Sequence, residues 1–136
     1  TNNACGFCNQ YPGQCTPANA IDGDPTTRYT SGQTQNGSEF FTLDFGATVS
    51  ITGITVDAGA STNDFPVMYK VQYSTDGTTY MDFASPVTGA GAVQTVVTFP
   101  KTSMRSIKFS QTGMQPAGTT SWWSIAEVTV QGCTSP

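Results

Sequence analysis

The 136-residue chain contains no histidine. That excludes Ser–His and Cys–His nucleophilic pairs and every metal site built on imidazole. Charge is also scarce. Asp, Glu, Lys and Arg make up 10% of the residues, with five basic against nine acidic side chains and a net charge of −4. So few cations cannot neutralise a row of phosphates, and no nucleic-acid partner is expected. The same deficit argues against docking on an anionic membrane. No apolar run approaches the ~18 residues of a spanning helix. No leader pattern is present either, so a secreted form would be mature or cut from a larger protein. Paired carboxylates are the remaining route to catalysis. Asp44, Asp57, Asp76 and Asp82 fall at strand ends or turns, and no pair faces one cleft, so the chain reads as non-enzymatic.

What is present is Gly, Ser, Thr, Asn and Gln in a length that suits one domain with a single core, the profile of a secreted β-rich protein. No stretch holds a convincing helical period. Apolar/polar alternation predicts about eight strands, among them 41–45, 49–56, 68–74, 80–84, 93–99, 105–111 and 124–130. Gly53 breaks phase as at a bulge, and Asp76-Gly77 reads as a hairpin turn. Asp44-Phe45-Gly46 imitates a kinase motif but lacks its companion loops, so it reads as a strand end. Asn36-Gly37-Ser38 fits a glycosylation sequon and equally a tight turn, which is the favoured reading. Short strands divided by turn signals indicate an antiparallel sandwich or barrel.

Four cysteines, Cys5, Cys8, Cys15 and Cys133, allow three pairings. Cys5-Gly6-Phe7-Cys8 has the spacing of a redox or zinc motif, but no His and no following βα unit support it. Two structural disulfides are expected, Cys5–Cys133 and Cys8–Cys15. They would pin residues 1–16, an irregular lead-in, to the single domain that occupies 1–136.

Asn19 to Tyr29 is the stretch around which the chain is organised. Asp22-Gly23-Asp24-Pro25 sets oxygens at alternate positions around a residue free to take positive φ and one of fixed φ. Such a loop suits calcium, which accepts six to eight oxygens in irregular geometry, or is a plain Asx-turn without metal. Trp122-Trp123 forms a second focus. Strand neighbours point to opposite faces, so one ring is expected in the core and one outward unless the strand starts later. Trp122, nearer the loop, is the preferred outward ring and Trp123 the core one; the alternative is that both are structural.

These pieces together resemble the discoidin or coagulation factor 5/8 type C domain, and more closely the family 32 carbohydrate-binding modules of that superfamily. The resemblance rests on Ala20-Ile21-Asp22-Gly23-Asp24 through Tyr29, Phe41 to Gly46, Val56 to Gly59, Tyr69 to Thr78, Arg105 to Phe109 and Trp123 to Val128, and spans residues 17–132. It implies an all-β antiparallel jelly-roll sandwich with binding loops clustered at one end. It implies a structural Ca²⁺ held by the carbonyls of Asn19, Asp24 and Ala126, the carboxylates of Asp22 and Glu127, and Thr27. It places a glycan on a flat aromatic ring with a few polar groups for its hydroxyls. The candidates are Trp122, Phe65, Asp64, Asn63, Arg28 and Trp123, with Thr30, Gln33 and Tyr11 secondary. Phe65 is read as a second stacking ring or as packed inward, and Arg28 as reaching sugar or pairing with Asp44 or Asp57. Without His, the His-Asn-Arg pattern of galactose-binding relatives is incomplete. β-Glucans, N-acetylglucosamine polymers and chitosan-like chains join galactose-containing glycans as candidate ligands.

The resemblance thus implies a secreted, monomeric, non-catalytic module that targets a covalently linked glycan-active enzyme to its polysaccharide. An adhesion or lipid-binding module of the same fold, and a structural spacer, are the alternatives.

Overall fold

A computed structural model describes residues 16–116 and 121–133. Cys5, Cys8, Cys15, Tyr11 and nearly all of the expected lead-in lie outside these residues, and so does the disulfide pairing; Cys133 lies within them and is exposed. A short 3₁₀ helix, Pro17–Ile21, precedes seven strands: β1 Tyr29–Thr30, β2 Phe40–Asp57, β3 Met68–Ser74, β4 Met81–Ala90, β5 Gln94–Gln111, β6 Ser124–Ile125 and β7 Glu127–Gln131. All described pairings are antiparallel. Five strands run in the order β4-β3-β5-β2-β7, and β1 pairs with β6.

Four expected strands are here two. The runs 41–45 and 49–56 fuse into the 18-residue β2, and 93–99 and 105–111 into the 18-residue β5. The two stay paired through register shifts between Asp44 and Val49 and between Ile51 and Gly53. Bulges bend a ribbon without ending it. The first half of β2 and the second half of β5 therefore lie with β3 and β4, while the other two halves lie with β7. Asp44-Phe45-Gly46 is thus a bend inside β2, not a strand end. Gly46 takes φ 75 there, where a side chain would be strained, and donates its amide to Asp44 Oδ1.

The two layers close on one core. Phe83 of β4 meets Phe99 of β5 with ring centroids 4.5 Å apart, although these strands share no ladder. Ile51, Ile54, Val71, Met104, Ile107, Phe109 and Trp123 are all buried. Alternation put one face of each strand inward, and its removal from water drives closure.

Turns are tied by short acidic side chains. Asp76 accepts from the Thr78 and Thr79 amides, 2.7 Å each, and the Ser74 hydroxyl, with Gly77 at φ 83. The Asp76-Gly77 turn is present, but inside a six-residue connection from 75 to 80. Asn36-Gly37-Ser38 is likewise a turn, with the Ser38 amide on Asn36 Oδ1 and Gly37 at φ 88.

An acid titration should report these caps. The Thr79 and Thr78 amides hold the Asp76 carboxyl far below its usual range, and the Gly46 amide and Arg105 lower Asp44. Lys70, then Gln72, does the same for Asp82. A carboxyl that is more acidic folded than unfolded stabilises fully above its unfolded pKa of ~3.9 and loses that contribution as pH falls toward the folded value. The melting temperature is therefore expected to fall below about pH 4. Asp76→Asn is expected to lower it at pH 7 and to reduce the drop on acidification, both read by calorimetry.

Candidate functional site

Three segments converge at one end of the sandwich. Tyr29 and Thr30 pair with Ile125 and Ser124, and the Ser31 amide donates to Trp123 O at 2.8 Å. The 57–68 connection folds onto the same place: the Ser124 amide and hydroxyl both reach Asp64, at 2.8 Å to its carbonyl and 2.8 Å to Oδ2.

Gln35 locks this junction and carries no signal in the sequence. It is 2% exposed. Its Nε2 donates to Phe65 O and Trp122 O, each at 2.8 Å, and its Oε1 accepts from the Val67 amide and Gln111 Nε2. One amide nitrogen thus fixes the backbones of both aromatic residues side by side. Buried Glu39 closes the adjoining loop by accepting from the amides of Asn36 and Gly37. A polar residue within a polar stretch shows no periodicity, so neither side chain could be found from pattern.

Around that junction Phe65, Trp122, Arg28 and Asp64 are half-buried and Asn63 is exposed. Arg28 pairs with neither Asp44 nor Asp57. Its Nη1 faces Asp64 Oδ2 at 3.8 Å and donates to Ser61 Oγ. Asp44 is engaged by Arg105, and Asp57 by Gln94 and the Gly59 amide. Trp123 leaves the set of sugar contacts: it is 1% exposed and packs against Phe109 at 5.7 Å, so no glycan ring can reach its face. Thr30 is buried as well, and Gln33 is half-buried with its amide toward Glu39.

The six residues considered for calcium gather in a neighbouring corner. Asn19, Thr27 and Ala126 line one cleft of about 430 Å³ together with Arg28 and Ser61. Thr27 Oγ1 lies 2.7 Å from Asp22 Oδ2 and 3.0 Å from Asp24 O. Asp24 accepts from the Thr26 amide and hydroxyl with its carboxylate Oδ1, and its carbonyl accepts from the Thr27 hydroxyl. The Thr27 hydroxyl and the Asp24 amide hold the Asp22 carboxyl below its usual range, and Glu127 comes within hydrogen-bond reach of it. Glu127 Oε1 is buried without a hydrogen-bond partner among the described residues. Among the described residues no Lys or Arg pairs with Asp22, Asp24 or Glu127. Two close carboxylates, one with an orphaned oxygen, fit a hard divalent cation better than a metal-free turn. No cluster of three His, Cys, Asp or Glu side chains that could hold a metal occurs among the described residues; a cation here would need carbonyls and the Thr27 hydroxyl beside the two carboxylates.

No curated protein matches the chain, but solved structures do. CBM32-3 from a family 31 glycoside hydrolase of Clostridium perfringens superposes with a TM-score of 0.69 at 17% identity, over 88% of this chain and 83% of that one. Chitosan-binding module 2 of a chitosanase/glucanase from Paenibacillus sp. IK-5, solved with chitotriose, gives 0.66 at 25% identity, covering 88% of each chain. The family 32 module of C. perfringens NanJ, solved with galactose, gives 0.63 at 25% identity, over 87% of this chain and 85% of that one. These neighbours are carbohydrate-binding modules, and they share this antiparallel β-sandwich. The sequence profile of the F5/8 type C domain matches residues 4–128, which is most of the chain, and the chain belongs to the F5/8 type C domain family.

Proposed function

We propose that this chain is a non-catalytic, calcium-stabilised carbohydrate-binding module that holds a covalently linked glycan-active enzyme on its polysaccharide outside the cell. The observation that carries this reading is the pairing of Phe65 and Trp122 through Gln35, with the Arg28–Asp64 pair beside them. Two part-exposed rings supply apolar faces for the C–H side of a sugar, and the guanidinium and carboxylate supply orienting hydrogen bonds. Asn63 extends the polar rim. Asn19, Asp22, Asp24, Thr27, Ala126 and Glu127 would hold Ca²⁺, which here supplies charge neutralisation and ties the first loop to β7. The chain acts as a monomer, and weak monovalent binding suffices because tethering raises the enzyme's effective concentration at the polymer.

The basic side chains support a glycan over a lipid surface. Of the five basic side chains, Arg28, Lys70 and Arg105 each face a carboxylate, Lys108 lies 4.6 Å from the Phe40 ring centroid and Lys101 sits within β5, so no cationic ring surrounds the loop end. Tryptophan fluorescence titration against β-glucans, chitosan oligomers and galactans tests the proposal. A saturating change is expected with one glycan class. Trp122→Ala should weaken it by about 30-fold or more, the loss typical of a central aromatic anchor, while buried Trp123 remains as the reporter of a folded core. A folded, calcium-loaded protein that answers to no glycan would overturn the proposal.

A further inference from the structure

A groove runs between edge strand β4 and the bent β5, away from the loop site: none of Arg28, Asp64, Phe65 or Trp122 lines it. It consists of two cavities of about 360 and 200 Å³ that share Ser85 and Pro100. Tyr69 lines the first and Tyr73 the second, while Ser85, Thr88 and Thr98 bring hydroxyls to the groove. None of these five hydroxyls makes a hydrogen bond among the described residues, and none is a sealed, orphaned atom; each reaches open space. No charged side chain lines either cavity. Burial pushes the Tyr69 hydroxyl up from its usual range, so it is a neutral donor at physiological pH.

Open hydroxyls on an aromatic-floored groove offer hydrogen bonds to a polyol, and the absence of charge offers nothing to a uronate or an ammonium. A peptide strand would instead add along the β4 edge, but Pro86 interrupts the row of amide donors that such pairing needs. We propose that this groove is a second carbohydrate site, selective for an uncharged oligosaccharide and independent of the loop site.

Neither tryptophan lines this groove, so amide NMR is a better probe of it than fluorescence. The full chain is titrated with cellohexaose, laminarihexaose and xylohexaose, and with hexagalacturonate and a chitosan hexamer as charged controls. Saturating shifts at residues 85–88 and 96–99 are expected with at least one neutral hexasaccharide. Thr98→Arg should abolish them while leaving shifts at 63–65 and 121–122 intact, and Ser85→Arg does the same from the opposite wall if Thr98→Arg does not fold. Tyr73→Phe should weaken groove binding by roughly threefold to tenfold, the worth of one hydrogen bond. Shifts confined to 63–65 and 121–122 would overturn the groove site and leave the loop site standing. Shifts confined to the groove would do the reverse. Equal groove shifts with hexagalacturonate would overturn the selectivity for uncharged chains.

Discussion

Gln35→Ala is expected to lower the melting temperature by about 10–15 °C and to abolish glycan binding at the loop end, although Gln35 offers no surface to a ligand. The side chain is buried and makes four hydrogen bonds, to Phe65 O, Trp122 O, the Val67 amide and Gln111. Truncation leaves those partners buried and unpaired. At roughly 1–3 kcal/mol for each group that water cannot re-solvate, a net loss of about 3–4 kcal/mol follows once part of the cavity hydrates. For a domain of this size that corresponds to roughly 3–5 °C per kcal/mol. Binding fails for a separate reason: with no common donor, the carbonyls of Phe65 and Trp122 are free to separate, and the two residues are no longer held side by side. Gln35→Glu distinguishes hydrogen bonding from volume. It keeps the shape but turns an acceptor onto two carbonyls, so it is expected to melt no higher than Gln35→Ala. A Gln35→Ala protein that melts within about 3 °C of the parent, with unchanged affinity, would show that the loops hold themselves together without it.

The legible parts of this protein are those where local chemistry and tertiary structure demand the same thing. β3 has its expected bounds, 68–74, because alternation and flanking turns both mark them. For the long strands the sequence predicts ends at Gly46 and near Pro100, where local preference does break. The structure carries both strands through, because a bulge keeps the ladder and a bend lets each strand serve both layers. Trp123 is buried and Trp122 half-buried as expected, but not for the expected reason. Both precede β6, which starts at Ser124, and 123–126 are buried in succession, so packing at the loop junction and not strand alternation separates the two rings. The partner of Arg28 does not follow from the sequence. Any of several aspartates was available in the sequence, and the choice falls to Asp64 because Ser124 pins the 57–68 connection against the β1–β6 pair. Gln35, Gln111 and Glu39 are the clearest case of illegibility. Gln35 and Gln111 meet across 76 positions of sequence, and Glu39 caps a local turn at Asn36 and Gly37, but the burial of all three arises only when the loops close and no apolar periodicity marks it.

Adding calcium to chelator-stripped protein is expected to raise the melting temperature by about 10–15 °C, and Glu127→Gln to remove most of that rise. A ligand present at a thousand times its dissociation constant stabilises by about 4 kcal/mol if it binds only the folded chain. The loop has the means to reach that regime: two carboxylates within reach of each other, no basic partner among the described residues, and an oxygen of Glu127 that is buried with nothing to accept from. The same facts fix the sign of the result without metal. Two like charges held together destabilise the empty loop, so Glu127→Gln in chelator should melt at or above the parent, while in calcium it should melt well below it. A purely structural Glu127 would shift both curves alike, and a plain Asx-turn would show no calcium effect in either protein. Magnesium is expected to substitute poorly, because it demands a near-octahedral shell that a loop of carbonyls does not offer. Chelation should also reach the glycan site. Asn19 Nδ2 donates to Arg28 O at 2.9 Å, so the metal loop sets the backbone from which Arg28 extends to Ser61 and Asp64. Removing calcium is therefore expected to weaken glycan affinity in the parent protein, and to do so far less in Arg28→Ala, where that link is already gone.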